Sequence, residues 1–110
     1  MTELSKETEQ KIQQLQILEQ NMQALLMQKQ QFQAQLLEIN SALEEISTAA
    51  NAYKIVGNIM VSSDKDSLKK DLDSRKEVLA LRIKTIDKQE TQLKDKAKSI
   101  QDEVMSKMKK

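Results

Sequence analysis

Ala52-Tyr53-Lys54-Ile55-Val56-Gly57-Asn58-Ile59-Met60-Val61-Ser62 is the one stretch of this chain whose apolar residues abandon helical spacing. Two β-branched runs flank Gly57-Asn58, a pair suited to the tight two-residue turn of a β-hairpin, so the pattern predicts strands at about 53–56 and 59–62. The alternative is an irregular loop between helices, but a mere linker has no use for five aliphatic residues in eleven positions. Successive strand residues point to opposite faces, so Ile55 and Val56 diverge, as do Ile59 and Met60, and both faces of the hairpin are apolar. A two-stranded hairpin alone is marginal in water. Strands from neighbouring copies, closing a sheet or barrel, are the simplest cover for both faces. The expected oligomer hub is Tyr53, Ile55, Val56, Gly57, Asn58, Ile59, Met60 and Val61.

On either side the apolar residues advance in alternating steps of three and four. Before the hairpin the series is Leu15, Leu18, Met22, Leu25, Lys29, Phe32, Leu36, Ile39, Leu43 and Ile46, with Lys29 the one exception. A period of 3.5 held this long specifies a coiled-coil seam. After the hairpin it resumes with Leu72, Lys76, Leu79, Ile83, Ile86, Glu90, Leu93, Ala97, Ile100 and Val104. Ser63-Asp64-Lys65-Asp66 has the form of a capping box and opens the second helix. A turn centred between residues 57 and 58 opposes residues whose numbers add to 115, and that sum sets Leu43 against Leu72, Leu36 against Leu79 and Leu15 against Ile100. Lys29 then faces Ile86 and Glu90 lies one layer away, where the two misfit charges can support each other; fixing register or snorkelling is their expected role. The expected fold is mainly α: an antiparallel two-helix coiled coil with one central β-hairpin that assembles into an oligomeric β-barrel hub. It is read as a single domain, with a helix at about 5–47, the hairpin at about 53–62 and a helix at about 64–108.

Composition supports exposed helices rather than a compact core. The 110 residues are 38% hydrophobic, 2% aromatic and 32% charged, with 14 Gln and a single Gly. Without Cys or His there is no thiolate or imidazole for a metal site, a nucleophile or acid–base catalysis, and one Gly cannot build a phosphate-cradling loop; no cofactor or enzymatic activity is expected. No apolar run approaches the ~20 residues of a membrane span, and Glu3, Lys6 and Glu7 stand where a secretory signal has its apolar stretch, so the expected location is cytoplasmic, without membrane contact. Residues 1–50 carry three Lys against seven Glu, whereas residues 64–110 carry fourteen Lys or Arg against ten acids. Exposed ion pairs contribute only ~0–1 kcal/mol each, so this complementarity biases helix pairing without sustaining it.

Several longer matches point to a family. Gln28-Lys29-Gln30, Ala42-Leu43-Glu44-Glu45-Ile46, Tyr53-Lys54-Ile55-Val56-Gly57-Asn58, Ile59-Met60-Val61 and Lys84-Thr85-Ile86-Asp87-Lys88-Gln89-Glu90 together resemble prefoldin subunits of the β type, close to the archaeal ones. A single hairpin marks the β type, since the α type resembles it with two. The junction Ala49-Ala50-Asn51-Ala52 departs from the acidic, often longer linker of relatives. The resemblance implies a hexamer of two α and four β subunits that acts without ATP, captures non-native client polypeptides and passes them to a group II chaperonin.

A surface for clients of many shapes should be apolar, adaptable and repeated. The expected client-binding residues at the arm tips are Leu4, Ile12, Leu15, Ile17, Ile100, Val104, Met105 and Met108, the seam members among them serving when the ends fray. Met105 and Met108 suit promiscuous contact because thioethers are flexible. Leu26 and Met27 also lie off the seam, and Val78 and Leu81 are expected at subunit contacts. The competing reading is a structural coiled-coil adaptor or tether without chaperone activity. Nucleic-acid binding is disfavoured: Lys94, Lys96, Lys98, Lys107, Lys109 and Lys110 are interleaved with Asp95, Asp102 and Glu103, and aromatics for base stacking are almost absent.

Overall fold

The computed structural model describes residues 5–108 in the order α1 (Lys6–Thr48), β1 (Ala52–Val56), β2 (Ile59–Ser63) and α2 (Lys65–Met108). Each helix start has a local cause. Ser5 caps α1: its Oγ accepts the Thr8 backbone N–H at 3.1 Å and lies 2.9 Å from the Thr8 hydroxyl, while Glu7 and Glu9 place negative charge in the first turn. Asp64 caps α2, its Oδ2 accepting from the Ser67 N–H at 3.3 Å and the Ser67 hydroxyl at 2.9 Å. The capping box read from Ser63 is therefore corrected by one residue, because Ser63 is already paired with Ala52 in the strand ladder. The last turn of α1 carries no basic residue of its own, and Lys65 Nζ donates to the Ala49 carbonyl at 2.8 Å just beyond it.

β1 and β2 pair antiparallel with Val56 opposite Ile59 and Ala52 opposite Ser63, so every couple adds to 115 and the reversal falls between Gly57 and Asn58. Gly57 has φ of +63° and Asn58 does not share the left-handed region, the sign pattern of a type II′ turn. A Cβ at Gly57 would meet nothing within 4 Å, so glycine is required here for backbone conformation rather than for space.

The chain divides into two compact units. The hairpin unit, Gln30–Lys84, contains β1, β2 and the adjoining helix segments. Its seam is made by Phe32, Leu36, Ile39, Leu43 and Ile46 from α1 with Leu68, Leu72, Leu79 and Ile83 from α2; Leu79 is buried and the others are half-buried. Lys76, a seam position by spacing, is exposed, and the Arg82 guanidinium lies 5.7 Å from the Phe32 ring centroid.

The terminal unit comprises Met1–Lys29 and Thr85–Lys110. Within its described part, Leu15, Leu18, Met22 and Leu25 share a seam with Ile86, Leu93, Ala97, Ile100 and Val104. Lys29 occupies a seam position with its side chain 24% exposed, and its ammonium lies 2.6 Å from Asp87 and 3.8 Å from Glu90. Glu90 in turn holds Lys94 at 3.0 Å. Asp87 supplies the nearer anion although it lies off the seam, because a lysine stem reaches past its own layer. The hydrogen bond that Lys29 donates to Asp87, acting against desolvation, raises the Lys29 pKa above the ordinary lysine value.

Two outcomes test this description. Gly57→Val should lower stability in urea by about 1–2 kcal/mol and Gly57→Asn by clearly less, since Asn tolerates the left-handed region; equal losses would contradict the turn assignment. Lys29→Leu should raise the thermal midpoint by roughly 3–6 °C, an apolar seam residue replacing solvent-screened pairs; a lowered midpoint would show that the charged layer stabilises the coil.

Candidate functional site

Two surfaces stand out, one in each unit. In the hairpin, the ladder puts Tyr53, Ile55 and Met60 on one face and Val56, Ile59 and Val61 on the other. All six side chains are 41–69% exposed, and Ala52 at the base is the buried strand residue. Each strand pairs along one edge only, which leaves β1 and β2 with one free backbone edge apiece. Beside the hairpin, an open groove is lined by Ile46, Ala49, Leu68 and Leu72 together with Tyr53 and Ile55. The geometry offers hydrogen-bonding edges and apolar surface to another strand.

The terminal unit carries the other surface. Ile17, Met105 and Met108 are exposed, as are Leu26 and Met27; Ile12, Leu15 and Ile100 are half-buried, and Val104 is only 6% exposed. Leu4 lies outside the described residues. Val104 and its half-buried neighbours are thus packed in the seam, and they reach a ligand only if the helix ends part. Sequence reasoning passed over Leu37, an exposed residue of the hairpin unit that directly follows the seam residue Leu36 but lies outside the 3.5-residue pattern. Val78 and Leu81 are exposed in the same unit.

Charged residues close the ends of α1 and α2. Lys11 pairs with Glu103, Lys107 lies 3.2 Å from Glu7, and Glu7 lies 3.7 Å from Lys11. The Glu7 carboxyl is held below its ordinary value chiefly by the hydrogen bond it accepts from Lys107, and Lys11 is raised chiefly by the one it donates to Glu103. The contribution of Glu7 is present above the ordinary carboxylate pKa and is lost as pH falls through the lowered one. That of Lys11 is present below the ordinary lysine pKa and is lost as pH rises through the raised one. Near neutral pH both are charged.

Among the described residues no group of three His, Cys, Asp or Glu could hold a metal ion, and no helix is long and apolar enough to cross a membrane. A profile of the prefoldin subunit family matches residues 9–110. A prefoldin subunit beta of Saccharolobus islandicus (strain L.S.2.15 / Lassen #1) is 40% identical over 101 residues, spanning 89% of this chain and 80% of the relative. One of Sulfurisphaera tokodaii is 37% identical over 108 residues, spanning 94% and 86%. The crystal structure of the prefoldin beta subunit from Thermococcus strain KS-1 matches with a TM-score of 0.90 at 30% identity, covering 96% of each chain.

Proposed function

The chain belongs to the prefoldin subunit family, and to its β type, and from that premise we propose that it is one subunit of an ATP-independent holdase. It assembles through the hairpin, captures non-native polypeptides with the ends of its helices, and delivers them to a group II chaperonin. Its partners are α-type subunits, two to four copies of this chain in a cytoplasmic hexamer, and its role is non-catalytic.

The observation that carries this reading is the hairpin with three large apolar side chains exposed on each face. Full burial of such a side chain contributes ~1.5–3 kcal/mol. Chains already about half buried have roughly half of that left, so one face offers ~2–5 kcal/mol and both together ~5–9 kcal/mol. Association costs an estimated ~4–15 kcal/mol in lost freedom. One covered face reaches only the bottom of that range, and a hairpin with neighbours on both faces and at its edges is better matched to the cost. A closed ring of hairpins provides it.

Client capture rests on the exposed thioethers of Met105 and Met108, which are 51% and 60% exposed and adapt to varied apolar segments. Individual contacts of this kind are weak. Several subunits holding one client multiply them, because the second contact is intramolecular once the first has formed.

Val56→Asp should dissociate the assembly, read as a fall in sedimentation coefficient to that of small species, while most far-UV helical signal remains. A variant that still sediments with its α-type partner as the wild type does removes the hairpin as hub. Met105→Ser with Met108→Ser should leave assembly intact and raise by about two- to fivefold the chain concentration needed to prevent aggregation of chemically denatured luciferase. Unchanged protection would take both methionines out of the client surface, and no protection by the wild type would favour a passive tether.

A further inference from the structure

We propose that Glu7, Lys11, Glu103 and Lys107 form a latch that sets how readily the apolar ends of the two helices part to receive a client segment. The proposal rests on the reading of those ends as the client surface. A Glu followed four residues later by Lys occurs on each helix, as Glu7 and Lys11 on α1 and as Glu103 and Lys107 on α2. The pairs cross reciprocally: the lysine of each helix meets the glutamate of the other, Lys11 to Glu103 and Lys107 to Glu7. The 3.7 Å approach of Glu7 to Lys11 joins the two pairs into a chain of four alternating charges.

The placement of the lysines gives the latch its function. Continued in steps of seven from Leu25 and Leu18, the heptad puts Lys11 at a seam position, and continued from Leu93 and Ile100 it puts Lys107 at another. Two lysines thus stand where the seam has been apolar. The register places Lys11 in the layer of Val104 and Lys107 in that of Thr8, and Val104 and Thr8 are both buried. Lysine stems can cover such neighbours while their ammonium groups stay in water. Closure at this end therefore depends on ion pairs whose side chains are mostly one-fifth to two-thirds exposed, the kind that salt screens and that hold only weakly. Leucine at both positions would seal the end; lysine leaves it closed but easily opened.

Opening joins Val104, Ile100, Leu15 and Ile12 to the already exposed Met105 and Met108. A client that binds the open end competes with the latch, and its apparent affinity scales with the open fraction. Lys6, Glu9 and Asp102 are the other described charges on these turns. With Glu7 and Lys11 both charged near neutral pH, ionic strength rather than pH shifts the balance.

The chain has no cysteine, so Gln10→Cys with Gln101→Cys, both at exposed positions, admits a spin-label pair on the whole chain. Glu103→Lys sets three cations against Glu7 alone. It should lengthen and broaden the label distance and lower by about two- to fivefold the chain concentration that protects denatured luciferase. Reversing all four charges (Glu7→Lys, Lys11→Glu, Glu103→Lys, Lys107→Glu) rebuilds the network and should return both readouts to wild type. Raising NaCl from about 50 mM to about 500 mM should broaden the wild-type distance. An unchanged distance in Glu103→Lys, or a longer one with unchanged protection, overturns the latch. If protection is lost in the Met105 and Met108 variant while the latch variants do nothing, the client surface stands without the latch; if neither set matters, both fall.

Discussion

A strand pair can shelter one face against its own chain, and this hairpin shelters neither. Alternation along β1 and β2 sends Tyr53, Ile55 and Met60 one way and Val56, Ile59 and Val61 the other, with solvent against both groups. The backbone edges are open as well. Within the hairpin unit the helices cover little of this surface: their seam reaches the strands at Ala52, which is buried, while the large residues beyond it stand free. A surface of that kind on an edge-bearing strand pair is an aggregation hazard unless it has a designated occupant. On the proposed function that occupant is the corresponding hairpin of other subunits.

The helices follow a different economy. Two helices bury one stripe each, and the buried apolar residues among those described are few: Leu18, Leu79, Ile86 and Val104 besides Ala52. Charged layers interrupt the seam at Lys29, where Asp87 and Glu90 receive the ammonium, and again where Lys11 and Lys107 are answered by Glu103 and Glu7. Such layers lower stability relative to leucine, and they specify which residues oppose one another. On the proposed function that weakness has a use at these ends, since a client surface made of seam residues must be able to open.

Much of this was legible in residue order alone. The switch from a spacing of 3.5 to a spacing of two marks the hairpin, Gly57-Asn58 marks its reversal, and the sum of 115 that follows is the register the strands adopt. Other features depend on the reach of side chains, which heptad letters do not encode. Asp87 lies outside the seam yet comes closest to Lys29, and the latch joins residues more than ninety positions apart. The helix cap was displaced by one residue because Ser63-Asp64-Lys65-Asp66 overlaps a second capping pair, Asp64 with Ser67, and the strand ladder claims the serine.

The most direct test of the central claim is amide hydrogen exchange over residues 52–63, measured on the protein as purified and again after dilution far enough to dissociate it. If neighbouring hairpins occupy the open edges and faces, strand amides on both edges will be strongly protected in the assembly and will lose that protection on dilution. Fast exchange along the outer edges at every concentration would mean that nothing covers them, and the account would fail.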